Sequence, residues 1–213
     1  MAFKGVIFDL DGVICFTDEY HYLAWKAMAD SIGVEFDRTI NNRLRGVSRM
    51  ASLEIILERS AAAYSPEEKL ALATKKNDLY KEYLKQMSPS DLSTEVKATL
   101  DALRNAGLKL AIGSSSKNTP FILGQLGLEG FFDAVSDGNN ITNSKPDTEV
   151  FLKAAQFLGL KPEDCLVVED AVSGAEAGHR GGFRVACVGD ASKAGVGDYN
   201  LRSIAQLAEI AVS

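Results

Sequence analysis

Three short apolar runs in this chain each end on side chains with polar chemistry. Phe3 to Phe8 closes on Asp9-Leu10-Asp11-Gly12, Leu108 to Gly113 closes on Ser114, and Cys165 to Val168 closes on Glu169-Asp170. Apolar runs of this length, bounded by polar or glycine-containing segments, read as strands buried on both faces, as parallel sheets require. Helical patterns separate them, so the strands need right-handed crossovers and a doubly wound sheet. Ligands of such open sheets gather beyond the carboxyl ends of the strands. The pattern therefore brings several carboxylates and a hydroxyl to one sheet edge. Lys145-Pro146, read as the opening of a helix, adds an ammonium.

The remaining chain fits this frame. Ser93 to Ala106 reads as a helix closed by Gly107, and Thr119-Pro120 starts a short one ending at Gly127. Ala134-Val135 reads as a short strand, Asp147 to Leu158 as a helix, and Val172 to His179 and Phe183 to Val188 as a helix and a strand. Inside this alternation lies a block with no strand pattern. Residues 18–32 form a helical pattern stopped by Gly33, and Ser48 to Ser60 forms a second. Ser65-Pro66-Glu67-Glu68 combines an N-cap, a first-turn proline and a returning glutamate, and opens a helix to about Met87. The expected fold is α/β: a doubly wound, mostly parallel sheet core of residues 1–16 and 89–213, with an inserted all-helical cap of residues 17–88. Its hinges fall near Ile14 to Thr17 and Ser88-Pro89.

With 213 residues, 46% of them hydrophobic, the chain has ample material for a core. No run of eighteen apolar residues exists, and the first residues lack a signal-peptide pattern. The net charge of −6 argues against a nucleic-acid surface or a basic membrane helix. It does not exclude an anionic small molecule, which needs only local positive charge, a metal and backbone donors. Cys165 and Cys187 sit in strand runs and read as core thiols, whereas Cys15 lies near the acidic strand end. Their number and spacing suit a reducing cytoplasm. A monomer is expected, since a closing cap needs free surface.

A carboxylate such as Asp9 can attack phosphorus, and a second such as Asp11 can give a proton to the leaving oxygen or take one from the attacking hydroxyl. The plainer alternative is two acids in a turn. Glu169 and Asp170 beside Asp9 would repel without a cation, and hard oxygen ligands select Mg²⁺. Alternatively, Asp170 caps the helix beginning near Ala171. The polar stretch Ser114-Ser115-Ser116-Lys117-Asn118, before a helix start, suits a phosphate cradle or a plain polar loop. Lys145 could neutralise a phosphoryl oxygen or be an ordinary surface charge. His21 and Trp25, four apart, share a helix face, which suits either a site or ordinary cap packing. Arg49 could clamp a second phosphate or lie in solvent.

The ordered set Asp-x-Asp-Gly, Ser, Lys-Pro and Glu-Asp resembles the haloacid dehalogenase superfamily across the whole chain. Phe8 to Ile14, Glu19-Tyr20-His21, Gly46-Val47-Ser48-Arg49, Lys76-Asn77, Ser114 to Asn118 and Ser144-Lys145-Pro146 resemble its branch that moves a phosphoryl group between two hydroxyls of glucose. That resemblance implies a cytoplasmic isomerase acting on small sugar phosphates with Mg²⁺, through an aspartyl phosphate and a bisphosphorylated sugar. It implies Asp9 as nucleophile and Asp11 as general acid/base, whose backbone carbonyl also reaches the metal. Asp9, Glu169 and Asp170 complete the metal site, and Ser114 and Lys145 hold the transferring oxygens. In the cap it implies His21 near the acid/base, Gly46, Val47, Ser48 and Arg49 as the loop for sugar and distal phosphate, and Ser52 and Lys76 as further contacts, with Trp25 beside them. In the core, Ser115, Ser116, Lys117 and Asn118 meet the substrate.

Two rivals stand beside this reading. A Mg²⁺-dependent sugar-phosphate phosphatase of the same superfamily would use Asp9 but pass the phosphoryl group to water. A non-catalytic phosphate-binding module would not need the complete acidic set. Cys15 and Phe16 depart from the superfamily pattern at the first hinge, and residues 192–200 are assigned no element.

Overall fold

The computed structural model describes residues 3–44 and 47–212. The chain starts with β1 (Gly5–Phe8) and then leaves the sheet for α1 (Asp18–Ser31), α2 (Arg38–Asn42), α3 (Arg49–Leu57) and α4 (Pro66–Leu84). It returns through α5 (Thr94–Asn105), β2 (Lys109–Gly113), α6 (Thr119–Gln125), β3 (Ala134–Ser136) and α7 (Glu149–Leu158). The last elements are β4 (Cys165–Glu169), α8 (Val172–Arg180), β5 (Arg184–Cys187), α9 (Gly189–Lys193), β6 (Tyr199–Asn200) and α10 (Leu207–Val212). The six strands form one sheet in the order β3-β2-β1-β4-β5-β6, and every pairing is parallel. The expected α/β architecture is the one observed.

Strand alternation explains the layers. Val6, Phe8, Leu110, Ile112, Leu166 and Val168 point to one face, into a core shared with α5, α6 and α10. Ile7, Ala111, Cys165, Val167, Val185 and Cys187 point to the other, against α7, α8 and α9. β1 is central and fully buried on both sides, which is why it reads as an unbroken apolar run. Register then fixes the site. Phe8 lies opposite both Ile112 and Val168, so the residues just after it, beside Gly113-Ser114 and Glu169, come level at the carboxyl edge.

The helical block has its own core of Trp25, Met28, Phe36, Ile40, Leu53 and Ile56. Its longest helix, α4, starts as expected: Ser65 Oγ accepts from Glu68 N–H at 3.2 Å while Ser65 N–H donates to the Glu68 carboxylate at 2.8 Å. Such a reciprocal cap is worth about 1 kcal/mol. α4 ends at Leu84, short of the expected Met87. The side-chain amide of Gln125 donates to the carbonyls of Leu84, Lys85 and Met87, covering acceptors that the helix end leaves orphaned. The second connection is thus tied to α6. On the first connection Phe16 is 73% exposed, whereas Cys15 is buried.

Several expectations shift. Lys145-Pro146 does not open α7; it lies in a turn in which Asp147 N–H donates to Ser144 O, and the helix begins at Glu149. The Asp147 carboxylate accepts from Glu149 N–H at 2.9 Å in a local turn just ahead of the N-cap Thr148, so Asp147 precedes the helix rather than opening it. α8 has its N-cap at Ala171, so Asp170 stands outside that position. α2 was not expected; Asp37 caps it by accepting from Ile40 N–H. The unassigned stretch 192–200 contains the end of α9 and the edge strand β6. All three cysteines are free and buried, Cys15 included, and burial pushes the Cys165 and Cys187 thiols up to about 12.

Candidate active site

Asp9 follows β1 directly, and its N–H donates to Val168 O, so the sheet itself fixes its backbone. Its carboxylate faces Glu169 and Asp170, and oxygens of all three lie within 4.8 Å of one another. Lys145 enters this group with its side chain 2% exposed, pairing with Asp9 Oδ1 at 2.5 Å and with Glu169 Oε1. Burial alone would pull the Lys145 ammonium down, but the Asp9 and Glu169 carboxylates outweigh it and hold it above its ordinary range. The second Glu169 oxygen accepts from the N–H groups of Asp170 and Ala171, each at 2.9 Å.

Two glycines make room for these acids. Gly12 has φ +92°, and a Cβ there would lie 2.2 Å from an Asp170 carboxylate oxygen. Within α8, a Cβ on Gly174 would lie 1.9 Å from Glu169 Oε1. The acids are packed against backbone that only glycine leaves open. A single ammonium stands among three carboxylates that present only hard oxygen donors. Asp9, Glu169 and Asp170 therefore fit a hard divalent cation.

Asp11, two residues after Asp9, is held differently. Its two oxygens accept from Thr17 N–H at 2.8 Å and Thr17 Oγ1–H at 2.6 Å. Thr17 occupies the N-cap of α1, yet its hydroxyl serves Asp11 instead of the helix. Tyr80 OH, from α4, donates in turn to Thr17 Oγ1 at 2.9 Å. Burial pushes the Asp11 carboxyl up to about 7 despite the Thr17 hydrogen bonds, which oppose it. A carboxyl in that range can both give and take a proton near neutrality.

Facing this edge, the helical block presents cations. Lys76 is buried, 2.8 Å from His21 Nδ1 and over the rings of Tyr80 at 4.4 Å and Trp25 at 4.8 Å. Burial, helped by the Arg49 charge, pulls Lys76 well below the usual lysine range. Burial, with Lys76 and Arg49 beside it, likewise holds His21 well below its usual range and keeps it neutral. The other ring nitrogen, His21 Nε2, lies 3.7 Å from Asp11 Oδ2. Arg49 is half-buried at the start of α3.

Both walls enclose one cavity of about 430 Å³. Every candidate catalytic, binding or metal residue read from the sequence lines it, except Gly46, which lies outside the described residues. Several of them have more to do than face the cavity. Ser48 Oγ caps α3 by accepting from Ala51 N–H, Ser114 Oγ accepts from Ser116 N–H, and Ser116 Oγ accepts from Asn118 N–H. Asn118 spends its side-chain amide on Asn77 of α4 at 3.0 Å, a direct bond from sheet edge to helical block. Ser52 and Trp25 are buried, Trp25 within the helical core. Sequence reasoning missed Thr17, Tyr80 and Asn77 as contributors. The signal for Tyr80 was present, since it stands one helical turn beyond Lys76.

The fold and this edge define a class. A family profile described as haloacid dehalogenase-like hydrolase matches residues 3–182, and the chain belongs to that family. Among its relatives, the β-phosphoglucomutase of Bacillus subtilis strain 168 is 43% identical over 176 residues, covering 82% of this chain and 78% of that protein. The phosphorylated carbohydrates phosphatase of Thermotoga maritima is 30% identical, covering 84% of this chain and 82% of that protein. The crystal structure of β-phosphoglucomutase from Clostridium difficile superimposes with a TM-score of 0.91 at 33% identity, covering 96% of this chain and 93% of that one.

Proposed function

We propose that this protein is a β-phosphoglucomutase, an isomerase that interconverts β-D-glucose 1-phosphate and glucose 6-phosphate through an Asp9-phosphate and β-glucose 1,6-bisphosphate. The observation that carries the reading is a single cavity with positive charge at both walls: Lys145 beside Asp9 on the sheet, and Arg49 with Lys76 on the helical block. A mutase must hold two phosphates at once, one reacting and one resting. The likeness to the B. subtilis and C. difficile mutases supports the same reading.

In this reading an Asp9 oxygen forms the new bond to phosphorus while the bond from phosphorus to the sugar oxygen breaks. Asp11 releases its Thr17 partners and gives that oxygen its proton; in the second half it takes the proton from the other hydroxyl. Lys145 and Ser114 hold the transferring oxygens. Mg²⁺, held by Asp9, Glu169 and Asp170 with the Asp11 carbonyl, would offset the repulsion between carboxylates and phosphate. Arg49 clamps the resting phosphate, and Lys76 and His21 stand behind Asp11. Val47, Ser48, Ser52, Trp25, Ser115, Ser116, Lys117 and Asn118 shape the sugar site. Residues 17–88 act as a cap, hinged near Ile14 to Thr17 and Ser88-Pro89, and closure keeps water from the aspartyl phosphate.

The 30% relative named as a phosphatase uses the alternative outcome for the same class, transfer to water. Incubation with β-glucose 1-phosphate, with glucose 6-phosphate and free phosphate measured together, separates the two. Glucose 6-phosphate in large excess over phosphate supports the mutase; stoichiometric phosphate release refutes it.

A further inference from the structure

Lys145 has a third neighbour besides its two carboxylates. Its Nζ lies over the ring of Phe151 at 4.6 Å from the centroid. Phe151 is fully buried on α7, six residues after Lys145. The ring cannot shift freely. A Cβ on Gly113, at the end of β2, would lie 2.7 Å from Phe151 Cδ1, so the ring fills the space that glycine leaves. Phe183 meets it edge-on at 6.2 Å and 65°. The strand that presents Ser114 and the loop that presents Lys145 are thus both registered against one aromatic ring.

We propose that Phe151 is a positioning residue for phosphoryl transfer, its ring face holding the Lys145 ammonium at the point where the transferring oxygens arrive. This rests on the role given to Lys145 in the proposed function. An ammonium has three N–H groups, and here two are taken by Asp9 and Glu169. When phosphate reaches Asp9, the N–H on Asp9 must turn to a phosphoryl oxygen. A water on the third side would let the flexible side chain swing out. The negative face of the ring offers attraction without a competing acceptor, so the charge stays in place while one partner is exchanged. No aliphatic side chain of similar size supplies that attraction.

The test replaces Phe151 alone with 4-fluoro-, 3,5-difluoro- and 3,4,5-trifluorophenylalanine. Fluorine weakens the negative ring face with little change in shape and no loss of apolar character. Asp9 phosphorylation by acetyl phosphate and turnover of β-glucose 1-phosphate are measured beside thermal unfolding. The expected result is a graded fall in both rates, roughly tenfold by the trifluoro ring, at an unchanged unfolding midpoint. In a Lys145→Ala background the grading should vanish. Equal rates across the series, or a slope that persists without Lys145, overturns the proposal. If the wild-type protein does not take phosphoryl on Asp9, the proposed function fails instead. The hold on Lys145 is then read from its side-chain ¹⁵N shift across the same series, and a shift that does not move overturns it.

Discussion

Gly174→Ala should destabilise this protein, although the same change in an ordinary exposed helix is mildly favourable. The added Cβ would stand 1.9 Å from Glu169 Oε1 and 2.6 Å from Oε2, where ordinary contact begins at 3.4 Å. The carboxylate must therefore retreat by roughly 1.5 Å in a packed interior. Retreat breaks its pairing with Lys145 and its bonds from Asp170 and Ala171 N–H. Breaking a buried ion pair costs about 3–5 kcal/mol, and alanine returns about 1 kcal/mol in helix propensity. The net loss is about 2–4 kcal/mol, a fall of roughly 5–15 °C in unfolding midpoint for a chain of this size. Circular dichroism melting measures it, with Asp9 phosphorylation by acetyl phosphate as the activity readout, expected to drop at least roughly a hundredfold. Gly124→Ala on α6 is the control: its Cβ meets nothing within 4 Å, and it should gain about 0.5–1 kcal/mol. A Gly174→Ala protein that melts at or above wild type with normal turnover refutes the packing argument.

Three further outcomes follow from the site. Burial pushes the Asp11 carboxyl up to about 7, so Asp9 phosphorylation by a sugar phosphate, which needs the protonated acid, should fall as pH rises through 7. Transfer from Asp9-phosphate to a sugar hydroxyl, which needs the ionised form, should rise over the same range, and Asp11→Asn should flatten both profiles. Arg49→Ala should lower mutase turnover by roughly a hundredfold or more and raise the share of free phosphate released, with Arg49→Lys intermediate; unchanged product ratios would place Arg49 outside the phosphate site. Chelation should abolish turnover and added Mg²⁺ restore it, while full activity in chelator would remove Asp170 from a metal role.

The parts of this architecture that were legible in the sequence are those set by long-lived local patterns. β1, β2 and β4 are central and buried on both faces, so their apolar runs announce them and place Asp9, Ser114 and Glu169 at strand ends. β6 escaped because a two-residue edge strand carries almost no periodicity. Thr17 escaped because an N-cap threonine looks like a helix start, and only the fold turns its hydroxyl to Asp11. Asn77 and Asn118 are 41 residues apart, and their bond exists only once α4 has docked. Gly174 is the instructive case. It lies inside a helix five residues after an acid, a position where glycine is costly unless another group needs the space.

Lys76 supplies the sharpest distinction between a mutase and a phosphatase. Its ammonium is buried among His21, Trp25 and Tyr80, and among the described residues no carboxylate lies within ion-pair distance of it. A buried charge without a counter-ion costs stability. Arg49 adds a second positive charge that helps pull Lys76 down, although the Asp11 carboxylate opposes it, so two basic side chains of the helical block share this wall. An anion held there relieves the cost, and a sugar with a second phosphate supplies one. A phosphatase acting on a monophosphate has no group to place at that wall. Lys76→Met should therefore stabilise the free protein by about 1–3 kcal/mol, while removing most of the thermal shift produced by glucose 1,6-bisphosphate and leaving the smaller shift from inorganic phosphate intact. Differential scanning fluorimetry with both ligands reads all three quantities. If Lys76→Met melts lower than wild type, the lysine is a structural keystone of the helical block. If it melts higher but keeps the full bisphosphate shift, the second phosphate does not reach this wall, and the case for a mutase loses its main physical support.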